Sequence, residues 1–189
     1  KVLPGVAYLE MVRAALQHAA PPQPKSPVLE ISEFVWLKPV VVAEPREVSI
    51  GLSRNDADDN FNYEISSEDE AGKSVHCQGF AAYRHASSLP RLDVAQLKAQ
   101  MNRRTAESAA LYEMFDEMGL QYGPAHRGIT SLHLGKDQLL AQLRLPNCVR
   151  SGSSAFQLHP SLMDAALQAS GGLIVDFDRP PGEPLVPFA

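Results

Sequence analysis

One segment near the start of the chain is apolar around most of a helical circumference, and that limits what it can fold into. From Pro4 onward, Val6, Leu9, Val12 and Leu16 recur at helical spacing, while Tyr8, Met11 and Ala15 extend the apolar surface round the other side. A helix of this kind belongs in the centre of a unit rather than on its surface. Pro4 suits a first turn, and Pro21-Pro22-Gln23-Pro24 ends the helix. The pattern that follows has a period of two. Leu29, Ile31, Val35 and Leu37 fall on odd positions, with Glu30 and Ser32 between them. Phe34 and Trp36 then fill even positions, which predicts a strand that becomes buried on both faces. Pro39 and Pro45 break it. Further strands are expected over 47–52, 61–66 and 74–83, separated by a polar loop over 54–60 and a turn over 69–72. One helix and four strands make an antiparallel sheet around a helix.

The second half repeats the theme in another order. Residues 85–105 lack alternation; Ser87, Ser88 and Pro90 suggest a linker, with a short helix over 92–101. Leu111, Met114, Phe115 and Met118 then mark a helix that Gly119 stops. Strands are expected near 129–134 and 138–145, and a third long helix over 161–174. This divides the chain into a first unit over 1–86, a linker over 87–105 and a second unit over 106–189. With 44% apolar and 21% charged residues, the composition is that of a globular protein. A net charge of −5 argues against a general nucleic-acid binder. No apolar run approaches the roughly 20 residues of a membrane span, and the first residues do not read as a signal peptide. Cys77 and Cys148 form neither a metal-spaced cluster nor a disulfide framework, so a cytoplasmic setting is expected.

Three places have residue types suited to chemistry. In the 161–174 helix, Asp164 and Gln168 are four residues apart, on one face and within hydrogen-bond reach, in apolar company that includes Leu162, Met163 and Leu167. One reading is a carboxylate stabilised at a helix N-terminus. The other is an oriented acid, whose burial opposes the helix dipole and keeps a usable proton. Tyr122-Gly123-Pro124 presents a tyrosine from a rigid turn, or simply packs one there; His126 close behind is a candidate acid or base, or a structural histidine. Leu3-Pro4-Gly5 opens a helix at a glycine; a free N–H there can polarise a carbonyl, or the glycine serves the turn alone. His76 and His133 sit in strand patterns and read as structural, and His159 before Pro160 shapes the start of its helix.

Three stretches together resemble the dehydratase domain of modular polyketide synthases: LPGVAYLE at 3–10, YGPAHRGI at 122–129 and LHPSLMDAALQ at 158–168. The resemblance spans essentially the whole chain. It implies an α+β double hot-dog fold, in which antiparallel sheets each wrap a long central helix. It implies removal of water from a β-hydroxyacyl thioester on the phosphopantetheine arm of an acyl carrier protein, during polyketide chain elongation, with no metal or redox cofactor. Asp164 matches the family's acid, Gln168 the residue that orients it, and Tyr122 the tyrosine of the YGPxF motif near the substrate hydroxyl. Gly5 matches the glycine whose N–H meets the thioester carbonyl, with Pro4, Gly123, Pro124, His126, Leu162 and Leu167 lining the substrate. The family's first motif is HxxxGxxxxP; its Pro aligns with Pro4, so the catalytic His is expected upstream of Lys1. The chain is expected to be incomplete at both ends, lacking N-terminal strands of the first unit and C-terminal strands of the second. His126 stands where the motif usually has Phe. The partners implied are the carrier protein, other domains of a multidomain synthase and a second copy in a homodimer. Two other outcomes remain open on the sequence: a double-bond-shifting or cyclising relative, and a non-catalytic domain kept for dimerisation or carrier docking.

Overall fold

A computed structural model describes residues 1–20, 22, 28–55, 60–70, 72–85 and 90–173. The chain divides into two compact units, whose described parts are residues 1–85 and 90–173. Among the described residues, no helix is long and apolar enough to cross a membrane.

The first unit is a sheet laid on a helix. Helix α1 (Ala7–Ala19) carries the expected apolar surface, with Tyr8, Val12 and Leu16 buried. Strands β1 (Val28–Trp36), β2 (Ser49–Asn55), β3 (Asn60–Asp69) and β4 (Gly72–Arg84) form one antiparallel sheet in the order β1-β4-β3-β2. Tyr63, Ile65, Cys77 and Ala81 turn inward from β3 and β4 onto the helix. Burial of this kind stabilises by about 1.5–3 kcal/mol for each large apolar side chain. The Tyr8 hydroxyl accepts from the Val40 N–H at 3.1 Å, tying the helix to the chain beyond β1.

Strand β1 carries a bulge where the sequence predicts burial on both faces. Its pairing with β4 slips between Ser32 and Val35, and Glu33 has φ +48°. This bulge exchanges the two faces of the strand. Leu29 and Ile31 pack on the core before it, Phe34 and Trp36 after it. The change of parity in the sequence marks a bulge, beyond which Phe34, Val35 and Trp36 are all half-buried, Phe34 and Trp36 against the core. His76 is structural, as read: its ring bridges Ser67 Oγ at 2.8 Å and the Lys38 carbonyl at 3.1 Å. The loop expected over 54–60 lies mostly outside the described residues.

The second unit holds α2 (Val94–Gln100), β5 (Arg104–Glu107), α3 (Ser108–Glu117), β6 (Ile129–Leu134), β7 (Leu139–Leu143) and α4 (Pro160–Ser170). The strands form an antiparallel sheet in the order β5-β6-β7. Strand β5 had no signature in the sequence; it begins in the stretch read as linker, with Arg104 opposite Leu134. Helix α3 ends as Gly119 predicts. Gly119 has φ +81°, and the Leu120 N–H reaches back to the Phe115 carbonyl at 2.8 Å. Helix α4 is shorter than expected: it gives way at Gly171 to a single 3₁₀ turn, and Ile174 lies outside the described residues. Pro160 occupies its first turn, and His159 Nδ1 accepts from the Ser161 N–H at 3.2 Å.

The face of α4 turned into this unit is small and polar, made of Ser161, Asp164, Ala165, Gln168 and Ala169. That lets neighbouring backbone come close. A Cβ on Gly128 would stand 2.9 Å from Ala165 Cβ and 3.3 Å from the Arg144 carbonyl, so a side chain there would push the loop off the helix. Leu111, Tyr112 and Phe115 of α3, with Ile129 and Leu132 of β6, complete the core against Ala165 and Ala169.

Candidate active site

Asp164 and Gln168 make the contact their spacing predicts: Gln168 Nε2 donates to Asp164 Oδ2 at 2.8 Å. Both are buried, at 8% and 5% exposure. Leu162 and Leu167, expected to bury the acid, are only half-buried and stand outside the core cluster. The acid is instead enclosed by polar and aromatic groups from the 112–129 region.

The turn at Tyr122-Gly123-Pro124 delivers His126 to the acid. Pro124 opens one 3₁₀ turn, and the His126 N–H donates to the Gly123 carbonyl at 2.9 Å. Gly123 and Pro124 are themselves exposed. The His126 ring then places Nδ1 3.0 Å from Asp164 Oδ2. With the proton on Nδ1, Gln168 and His126 both donate to the same carboxyl oxygen. Among the described residues, no partner is found for Oδ1. The family resemblance implies a lining role for His126, and its contact with Asp164 was not foreseen.

Tyr122 packs edge-on against Phe115, ring centres 5.3 Å apart, and against Tyr112 at 6.3 Å. Burial pushes its phenol up to about 12, and the Asp164 carboxylate and Tyr112 add to the effect. The hydroxyl therefore keeps its proton at any physiological pH. Arg127 holds this turn from outside: its Nε donates to the Tyr122 carbonyl at 2.9 Å, its Nη2 meets Asp116 Oδ2 at 3.3 Å, and its guanidinium lies 5.1 Å from the Tyr112 ring centre.

Tyr112 is the member that motif reading missed. Its hydroxyl donates to Gln168 Oε1 at 3.1 Å and accepts from the Ile129 N–H at 3.2 Å. A signal existed: a tyrosine on the apolar stripe of a helix, three residues before Phe115, buries a hydroxyl that needs a partner.

Pro4 and Gly5 belong to the first unit. Their carbonyls accept from Ala7 and Tyr8 N–H at 2.9 and 3.1 Å, so both form the first turn leading into α1. The Trp36 indole covers Gly5 so closely that a Cβ there would stand 2.3 Å from Nε1. Close approach to this glycine is real, and a side chain of the same unit makes it.

Residues 90–189, more than half of the chain, match the model of the polyketide synthase dehydratase N-terminal domain, and residues 1–68 match that of the polyketide synthase dehydratase domain. The chain belongs to the polyketide synthase dehydratase family. Among curated proteins it is 38% identical over 179 residues to polyketide synthase PksM of Bacillus subtilis, covering 93% of this chain and 4% of that protein. It is 40% identical over 176 residues to PksN of the same organism, covering 91% of this chain and 3% of that one. The chain thus spans a very small part of these relatives. Among solved structures, a trans-AT polyketide synthase dehydratase domain from Brevibacillus brevis superposes with a TM-score of 0.84 at 42% identity, over 90% of this chain and 64% of that one. The dehydratase domain of the CurF module of curacin polyketide synthase shares the fold, with a TM-score of 0.81 at 24% identity, over 89% of this chain and 60% of its own. The two sheet-on-helix units are therefore hot-dog units of a dehydratase domain, as the sequence motifs implied.

Proposed function

We propose that this chain dehydrates a β-hydroxyacyl thioester, carried on the phosphopantetheine arm of an acyl carrier protein, to the α,β-unsaturated thioester during polyketide chain elongation. The observation that carries the reading is the buried carboxyl of Asp164, with two donors converging on Oδ2 and, among the described residues, no partner on Oδ1. Hydroxide is a poor leaving group, and a positioned acid removes that obstacle. In this reading the α C–H bond breaks, its electron pair forms the double bond, and the β C–O bond breaks. The departing oxygen takes the Asp164 proton and leaves as water. Gln168 and His126 hold the carboxyl, and the Tyr122 hydroxyl, kept protonated by burial, steadies the oxygen as it leaves. In this reading the α-proton goes to the histidine that the resemblance to the HxxxGxxxxP motif implies. Charge developing on the thioester carbonyl needs a preorganised donor, a role that the family resemblance gives to the Gly5 N–H. Other synthase domains and the carrier protein are the partners, and the chemistry runs on side chains without a metal or redox cofactor. Incubating the complete dehydratase domain that carries this chain with a β-hydroxyacyl carrier protein tests the reading: mass spectrometry should find the acyl chain lighter by one water. An unchanged acyl chain would overturn it.

A further inference from the structure

An acid that must give its proton to substrate has to be kept from giving it to its own neighbours, and Gln168 is such a neighbour. While Asp164 is ionised, its charge alone draws the Gln168 NH₂ toward it. Once Asp164 is protonated, that preference disappears. A side-chain amide offers an acceptor as readily as a donor, and a flipped Gln168 would place Oε1 against the carboxyl and take its O–H in a hydrogen bond. The proton would then be held inside the network.

We propose that Tyr112 is a positioning residue for Asp164: its hydroxyl occupies Gln168 Oε1 and so keeps the amide from capturing the acid's proton. Three contacts support this. The Ile129 N–H donates to the Tyr112 hydroxyl at 3.2 Å, which directs the hydroxyl's single proton elsewhere. That proton has the Gln168 Oε1 at 3.1 Å and the His126 carbonyl at 3.4 Å. The carbonyl already accepts from Gln168 Nε2 at 3.0 Å, so Oε1 is the nearer and less occupied acceptor. A flip of Gln168 would give up the Tyr112 O–H···Oε1 contact and the Nε2 bond to the His126 carbonyl, and would set the amide oxygen against that carbonyl, acceptor against acceptor. The Tyr112 ring is fixed meanwhile by Phe115 and Tyr122, with ring centres 6.2 and 6.3 Å away. Tyr112, Ile129 and His126 thus define the direction of Gln168 in both protonation states of Asp164, and the acid's proton stays on Oδ1.

The inference rests on the dehydratase reading, and its test separates the two. In the complete domain, Tyr112→Phe keeps the ring and removes the hydroxyl. Turnover on a β-hydroxyacyl carrier protein should fall on the order of 10²-fold with KM held, as misdirection of a reacting group costs rate rather than binding. Gln168→Met removes the acceptor that could take the proton, so Tyr112→Phe should have no further effect on kcat in that background. A merely structural tyrosine would give equal losses in both backgrounds, and that outcome, or wild-type kcat in Tyr112→Phe, overturns the inference. Nuclear magnetic resonance supplies a readout that does not depend on turnover. The Gln168 side-chain amide protons should exchange slowly with solvent in the wild type and rapidly in Tyr112→Phe. Slow exchange without any dehydration would sink the dehydratase reading alone; fast exchange in the wild type would sink the inference.

Discussion

Replacing Asp164 by Asn separates an acid from a structural helix residue. The two donors that meet Asp164 converge on one oxygen, Gln168 Nε2 at 2.8 Å and His126 Nδ1 at 3.0 Å. An Asn that puts its carbonyl oxygen in that place keeps both bonds, and its NH₂ takes the position of Oδ1. What is lost is the charge on the acceptor. Hydrogen bonds to charged groups contribute about 1.5–3 kcal/mol against about 1 for neutral ones, so two bonds lose about 1–4 kcal/mol at most. The His126 side chain is 30% accessible, and solvent screening of that partner brings the expected cost to about 1–2 kcal/mol. For a domain of this size that lowers Tm by about 2–8 °C. The rate should respond on another scale, since loss of a general acid costs on the order of 10²–10⁴ in kcat. Thermal melts by circular dichroism and a carrier-protein turnover assay, on the same Asp164→Asn preparation of the complete domain, measure both. Turnover within a few-fold of wild type would remove Asp164 from the mechanism. Collapse of the fold would show that the carboxylate charge, not its proton, is what this helix requires.

The other substitutions probe the rest of the site. Tyr122→Phe should lower kcat and leave KM nearly unchanged, because the ring packing survives and only the hydroxyl is lost; an unchanged kcat would return Tyr122 to a packing role. Tyr122 also carries a pH signature. Its folded pKa, about 12, lies above the ordinary 10.0, so its share of stability is complete below about pH 10 and is lost as pH rises toward about 12. Urea melts across that range should show a shallower alkaline loss in Tyr122→Phe, with a remainder from Tyr63 and Cys77, which burial also raises. An identical alkaline slope in the variant would contradict the burial of the phenol. Gly5→Ala drives a methyl to within 2.3 Å of Trp36 Nε1 and 2.8 Å of Cδ1, and should cost about 1–3 kcal/mol through overpacking, read from the denaturant midpoint. An unchanged midpoint would mean that the indole swings aside freely.

The sheet-on-helix units were legible because their signals are local. The apolar circumference of α1, the alternation in β3 and β4, and Gly119 after α3 each act within a few residues. The spacing of Asp164 and Gln168 fixed their contact for the same reason, since α4 alone brings them together. What escaped depends on long-range pairing. Strand β5 is only four residues long, and it exists because β6 offers it an edge. The parity change in β1 was visible, but only the partner strand shows it to be a bulge. His126 reaches Asp164 across 38 residues, and Tyr112 reaches Gln168 across 56, so no window of sequence contains either pair.

The central claim is that Asp164 lies in a site that removes water from a carrier-bound β-hydroxyacyl chain. Intact-protein mass spectrometry of the carrier tests it most directly, after incubation with the complete domain in its wild-type and Asp164→Asn forms. The account predicts loss of one water from the acyl chain with the wild type and an unaltered chain with Asp164→Asn. Dehydration at equal rates by both, or by neither, would contradict it.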